Sequence, residues 1–247
     1  MRTGFWGLEL QPFEVFGTEH LVGAAITVLA GTAVVLAGRK TGERGQLYLR
    51  CGLIAGLLFF RVARHWWRID TGIWSVQEEL PFQLCNIMAW VSIYGLGTRN
   101  PLALKAMYFL GVVGAIQAVI TPDVDYGPFH YTFLESMGSH GLVVTAGVWA
   151  AAVEGYRPRP RDPWLALAVM NGLAVVVYPL NLWLGSNYLY TVHKPTADTL
   201  MDFLPGWPWY LLALQPIAVA FLQALMLPFV RSRRRSPASG GASPTSG

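Results

Sequence analysis

The chain has little charge and almost no cysteine. Only 13% of its 247 residues are Asp, Glu, Lys or Arg, and it contains two cysteines, Cys51 and Cys85, without a CxxC pair. This scarcity excludes a disulfide framework and a zinc ribbon. HExxH and HxxxH spacings are also missing, and we predict neither a metal site nor a cofactor. No internal repeat is visible, which argues against a transporter built from inverted repeats.

Apolar residues dominate instead. The chain is 53% hydrophobic with a mean hydropathy of +0.40, and runs long enough to cross a bilayer recur from Leu21 to Val230. Such runs are typical of a polytopic helical membrane protein. The segment before the first run, residues 1–19, has one Arg and three Glu, the opposite of the basic start of a signal peptide. We therefore predict an all-α bundle of about seven transmembrane helices.

The hydropathy pattern divides the chain into three parts. Residues 1–19 form an N-terminal segment, residues 20–230 a seven-helix transmembrane domain, and residues 231–247 a basic tail whose composition predicts disorder. The predicted spans are His20–Ala37, Leu47–Trp67, Leu80–Leu96, Leu102–Ile120, Gly138–Val153, Trp164–Leu184 and Pro208–Val230.

The distribution of charge predicts the orientation. Four segments hold thirteen of the eighteen Lys and Arg residues but three of the fourteen acids: 39–50, 99–105, 154–162 and 231–235. These segments alternate with acidic ones, and basic connections stay on the cytoplasmic side. The pattern places the N-terminus outside and the C-terminus inside. The basic tail then lies where it can contact anionic lipids. The positive net charge reflects topology, and we predict no nucleic-acid partner.

Polar residues of the predicted helices gather towards the outer side, together with all five histidines. Buried polar side chains in a membrane are costly and mark cavities or pathways. Arg61, Arg64 and His65 share one face of the second helix, and we interpret them as candidates for binding a phospholipid head group. The plainer interpretation of the arginines is snorkelling to lipid phosphates. Gln117 and Asn181 can equally be hydrogen-bonding contacts between helices.

Cys85 and His140 are the candidate catalytic pair. Both fall at the outer side at a comparable predicted depth, with His140 at the start of the fifth span. A thiol becomes a nucleophile as a thiolate, which needs a nearby base or cation. Four further side chains are candidate donors to an oxyanion: Asn86, Gln117, Asn187 and Tyr188. Cys51 falls at the cytoplasmic end of its helix, too far from Cys85 for a disulfide, and we expect it to be a small buried residue.

Several motifs together resemble a known family. They are Leu80-Pro81-x-x-x-Cys85, Gln117-Ala118-x-x-Thr121-Pro122-Asp123, Ser139-His140, Asn187-Tyr188-x-Tyr190 and Pro208-Trp209-Tyr210. This ordered set is similar to that of YwaF-type bacterial membrane proteins and the eukaryotic transmembrane protein 164. The resemblance runs from about His20 to Phe229. It implies an acyltransferase acting on phospholipids, with a Cys and a His at the positions of Cys85 and His140.

The leading hypothesis is therefore a multi-pass protein of the cell membrane that transfers or hydrolyses acyl groups of phospholipid or lysophospholipid. Two alternatives stay open. A transporter or lipid-binding protein would use an outward-facing polar cavity without covalent chemistry. A metal site would use Cys85 and neighbouring histidines. The sequence does not define the oligomeric state.

Overall fold

The computed structural model describes residues 4–8, 13–122, 124, 126–195 and 200–229, and these residues form helices joined by turns. Seven helices make up the bundle: α1 (Thr18–Lys40), α2 (Glu43–Asp70), α3 (Leu84–Thr98), α4 (Pro101–Ile120), α5 (Tyr131–Ala152), α6 (Asp162–Leu184) and α7 (Trp209–Ala224, with the apolar span continuing to Phe229). The predicted all-α bundle of seven helices is confirmed.

The helices alternate in direction, so the bundle has two distinct ends. The upper end is where α1, α3, α5 and α7 begin, and the lower end is where α2, α4 and α6 begin. At the upper end His20 Nε2 donates to the carbonyl of Val119, 3.0 Å away. At the lower end Arg99 Nε lies 2.9 Å from Glu154 Oε2. The first contact joins the start of α1 to the end of α4, and the second joins the ends of α3 and α5, as expected for an up-and-down bundle in which alternate helices run in the same direction.

The central helix is α5, which packs against α1, α2, α3 and α4. Five of the other six helices are long and apolar enough to cross a membrane: α1, α2, α4, α6 and α7. The shorter α3 is also apolar. Most polar side chains of α5, including Glu135 and Ser139, are buried among the surrounding helices. A central position therefore allows α5 to be less apolar than its neighbours, since the protein and not lipid surrounds it.

The third and fifth predicted spans differ from the helices at their starts. We expected the third and fifth spans to begin at Leu80 and Gly138, whereas α3 begins at Leu84 and α5 at Tyr131. His140 thus lies in the third turn of α5 and not at its start. Cys51 is exposed on α2 and not buried, and both cysteines are free. The predicted basic tail, residues 231–247, lies outside the described residues.

A wide turn interrupts α4 where it meets α5. Residues Met107–Gly111 form a π-helical segment, and all five are buried. Gly147 of α5 lies against this segment, since a Cβ at Gly147 would come 2.5 Å from the carbonyl oxygen of Met107. The glycine therefore allows the two backbones to approach closely, as small residues do between membrane helices.

We predict that Gly147→Ala destabilises the bundle by about 1–3 kcal/mol, because the added methyl overpacks a backbone contact. Gly172→Ala in α6 is the matched control, since a Cβ there meets nothing within 4 Å, and helix propensity alone favours Ala by up to about 1 kcal/mol. Thermal unfolding of both variants in detergent checks the prediction. Equal midpoints for the two variants would contradict it.

Candidate functional site

Cys85 and His140 meet at the upper end of the bundle. Their side chains are close enough to interact electrostatically between α3 and α5. His140 Nδ1 lies 2.8 Å from the carbonyl oxygen of Ser136, one turn earlier in α5. A carbonyl only accepts hydrogen bonds, so Nδ1 carries the proton and Nε2 has the free lone pair. The ring is thus held in the tautomer that can accept the thiol proton.

Cys85 lies in the first turn of α3. The first backbone N–H groups of an α-helix have no intrahelical acceptor and create a region of positive potential. The N-cap residue, Gln83, makes no side-chain cap. Its Oε1 instead accepts a hydrogen bond from the backbone N–H of Leu189, 3.0 Å away. The positive end of α3 is therefore left without a side-chain cap beside the thiol, a setting known for reactive cysteines.

A cluster of buried ion pairs lies next to this thiol. Glu135 of α5 accepts hydrogen bonds from Arg61 Nη2 at 3.0 Å and Arg64 Nη1 at 3.4 Å. Glu135 is only 4% exposed and Arg61 8%. Buried charges of this kind are stable only when paired and hydrogen-bonded. Both arginines also interact electrostatically with Cys85.

Glu79, in the connection between α2 and α3, completes the cluster. Its carboxylate accepts from Arg64 Nε at 3.1 Å and Nη2 at 3.0 Å, a bidentate pair. Arg68 Nε lies 2.7 Å from the same carboxylate, and Arg68 also pairs with the exposed Glu78. Three arginines therefore meet three glutamates, and the cluster has no net charge.

The three residues predicted to bind a head group come together in one cleft. Arg61, Arg64 and His65 line it with Glu79, Pro81, Asn86 and Trp90. The predicted shared face of α2 is thus present. However, the arginines are paired with Glu135 and Glu79, and His65 Nδ1 accepts a hydrogen bond from Trp74 Nε1 at 3.3 Å. A phosphate entering this cleft would have to share these cations with the two carboxylates.

Among the four predicted oxyanion donors, Asn86 is adjacent to Cys85 in the sequence. It follows Cys85 in α3, and its Oδ1 accepts a hydrogen bond from Arg61 Nη1. Gln117 is exposed, and its Nε2 contacts the Val113 carbonyl of its own helix at 3.4 Å. Asn187 lies in the connection after α6, where its Nδ2 donates to the His193 carbonyl at 2.7 Å.

Tyr188, the fourth predicted donor, joins two connections at the upper end. Its hydroxyl donates to the Val76 carbonyl at 2.6 Å and accepts from the Leu80 N–H at 2.9 Å. Burial raises the pKa of the Tyr188 phenol, which therefore keeps its proton for the first of these bonds. The tyrosine thus holds the segment that leads into Cys85.

Glu79 and Glu135 were not predicted to be site residues. Both were counted among the acids that indicate the outer side of the membrane. The sequence signal that could have indicated them is the i, i+3, i+7 spacing of Arg61, Arg64 and Arg68. Three cations on one helix face need anionic partners. Glu135 was also missed because the fifth predicted span began after it, at Gly138.

Other histidines at this end have structural contacts. His20 accepts from the Phe16 N–H at 2.9 Å through Nδ1 and donates to Val119 through Nε2. His130 lies with Nε2 2.8 Å from the Gly7 carbonyl, which connects α5 to the N-terminal segment. Within the residues that the structure describes, no three His, Cys, Asp or Glu side chains form a group suited to a metal ion.

The fold and its apolar helices define an integral membrane protein with a polar centre buried at one end of a helical bundle. A model of the TMEM164 family matches residues 15–226. The chain belongs to this family, and the resemblance to transmembrane protein 164 is confirmed. No curated protein and no solved structure matches the chain.

We predict that Glu135→Ala destabilises the protein by about 3–5 kcal/mol, because it leaves Arg61 buried without its carboxylate. Glu78→Ala is the control: its carboxylate is exposed, and we expect a loss of no more than about 1 kcal/mol. Denaturant or thermal unfolding in the same detergent compares the two. Similar losses for both variants would show that the buried pair is not a stabilising contact.

Proposed function

We propose that this protein is a phospholipid acyltransferase with Cys85 as nucleophile and His140 as general base and acid. The observation that carries the proposal is the close approach of Cys85 and His140, with the His140 ring held by the Ser136 carbonyl. A nucleophile, its base and a group that orients the base are the parts that covalent acyl transfer requires. The family resemblance agrees with this assignment.

The first step would form an acyl-enzyme. His140 Nε2 accepts the thiol proton, and the Cys85 sulfur bonds to the ester carbonyl carbon of a phospholipid. The carbonyl electrons move to oxygen, and Asn86 together with first-turn N–H groups of α3 can donate to this oxyanion. When the oxyanion collapses, the ester C–O bond breaks, and the leaving alkoxide takes the proton from His140. A lysophospholipid and an acyl-thioester result.

The second step would return the enzyme to its starting state. His140 accepts the proton of an acceptor hydroxyl, whose oxygen attacks the thioester carbonyl carbon. The C–S bond breaks, and the thiolate regains the proton from the imidazolium. A lysophospholipid acceptor gives a transacylase, and water gives a lipid hydrolase. Arg61, Arg64 and His65 would hold the head-group phosphate by sharing their donors with it and with the carboxylates of the cleft.

The decisive experiment is acyl transfer by the full chain in liposomes that contain a phospholipid with an isotope-labelled acyl chain and an unlabelled lysophospholipid. We expect Cys85→Ala and His140→Ala each to lower turnover by at least about 10³-fold, as expected for residues that act as one unit. Mass spectrometry of the product and of a hydroxylamine-sensitive adduct on Cys85 provides the measurement.

Cys51→Ala is the matched control, because Cys51 is an exposed cysteine on α2 and should not affect turnover. Transfer that persists in Cys85→Ala would reject the thiol mechanism. Lipid binding that survives this change, without any product from the wild type, would instead favour a lipid-binding or transport protein.

We further propose that the upper end, with Cys85, faces the outside of the cell and that the C-terminus is cytoplasmic, on the basis of the alternating charge. A fluorescent protein fused to the C-terminus should fold and fluoresce in a bacterial host, whereas alkaline phosphatase at the same position should be inactive. Fusions after residue 122 should give the opposite pair of results. An inverted pattern would place the site on the cytoplasmic side.

A further inference from the structure

The partly buried contact between Arg61 and Asn86 suggests how the oxyanion donor is aimed. We propose that Arg61, held by Glu135, is a positioning residue that turns the side-chain amide of Asn86 towards the acyl carbonyl. This inference rests on the proposed acyl-transfer function and assigns the ion pair a role in it. This role distinguishes Arg61 from Arg64 and Arg68, the other arginines of the cluster.

The chemistry of the contact fixes the orientation of the amide. A guanidinium has five N–H donors and no acceptor, so the Asn86 atom that faces Arg61 Nη1 must be the carbonyl oxygen. The NH₂ group of Asn86 consequently points away from Arg61. Among the described residues, none accepts a hydrogen bond from this NH₂ group, and Asn86 lines the cleft. Two N–H donors therefore remain for a ligand.

The guanidinium itself is fixed from its other side. Arg61 Nη2 lies 3.0 Å from Glu135 Oε1, so one planar group joins Asn86 of α3 to Glu135 of α5. Lysine has no such fork, and its ammonium holds two partners in less defined positions. The same two helices also carry Cys85 and His140. The hydrogen-bonded series of Glu135, Arg61 and Asn86 thus lies beside the catalytic pair and connects the same two helices, α3 and α5.

The amide is well placed in sequence for the reaction. The oxyanion is the oxygen of the carbonyl group whose carbon bonds to Cys85 Sγ. Asn86 is the next residue along the helix. Removing one donor to an oxyanion typically lowers the rate by about 10²–10³-fold. Gln117, Asn187 and Tyr188 make contacts elsewhere, which leaves Asn86 as the side-chain donor among the predicted set.

Two reactions of Cys85 separate oxyanion stabilisation from thiol reactivity. Acylation by 4-nitrophenyl octanoate passes through an oxyanion, whereas alkylation by iodoacetamide displaces iodide and does not. Both rates are measured on the full chain with Cys51→Ala, in the same detergent. The ratio of acylation to alkylation then reports the oxyanion donor and is independent of how much thiolate is present.

We expect Asn86→Ala and Asn86→Asp to lower this ratio by about 10²–10³-fold. Asp retains an acceptor for Arg61 but has no N–H to donate, so it tests the donor without removing the Arg61 contact. Arg61→Lys should lower the ratio by roughly 10–100-fold through misplacement of the amide. In the Asn86→Ala background, Arg61→Lys should cause no further loss, because both changes act on one interaction.

Asn171→Ala is the matched control: this amide lies in α6 and contacts Gln215 of α7 at 2.9 Å, so the ratio should stay at the wild-type value. Circular dichroism and thermal unfolding confirm that each variant is folded. If Arg61→Lys does not fold, the two Asn86 variants still test the donor, and an unchanged ratio in both would overturn the inference.

The outcomes also distinguish this inference from the proposed function. A wild-type chain in which Cys85 is alkylated but never acylated contradicts both. Normal acylation with an unchanged ratio in the Asn86 variants retains the acyltransferase and rejects the Arg61–Asn86 assignment. An additive loss from Arg61→Lys in the Asn86→Ala background would show that Arg61 acts directly and not through the amide.

Discussion

The paired charges of Arg61 and Glu135 constrain the whole upper end of the bundle. An unpaired guanidinium or carboxylate inside a membrane protein is costly, so each buried charge requires its partner at hydrogen-bonding distance. Arg61 on α2 therefore fixes Glu135 on α5, and the same guanidinium contacts Asn86 on α3. Three helices are held in one register, and this register brings Cys85 to His140.

A second set of contacts holds the connections above these helices. Tyr188 bonds to Val76 and Leu80, and Gln83 accepts a hydrogen bond from the Leu189 backbone. The long connection after α6 is thereby docked on the one that precedes α3. Each of these bonds joins the side chain of Tyr188 or Gln83 to a backbone group. The docking therefore depends on these two side chains and on the path of the backbone.

Much of this architecture could be predicted from hydropathy. The apolar runs predicted seven helices, since spans of about twenty residues are set by bilayer thickness. The predicted start of α5 was wrong because Glu135 and Ser136 interrupt the apolar pattern, although both are buried. A one-dimensional scale cannot distinguish a polar residue facing protein from one facing water. The pairing of Cys85 with His140 was suggested by shared depth and by the family resemblance, whereas the roles of Glu79 and Glu135 required the packing of α2 on α5.

The position of Trp90 has a consequence for how the reaction would be studied. This side chain lines the cleft and is 45% exposed, on an apolar helix. A phospholipid reaching Cys85 past Trp90 would enter sideways, without leaving the bilayer. Turnover would then depend on the mole fraction of substrate in the membrane or micelle and not on its bulk concentration. Adding detergent at constant total lipid would slow the proposed reaction by surface dilution alone.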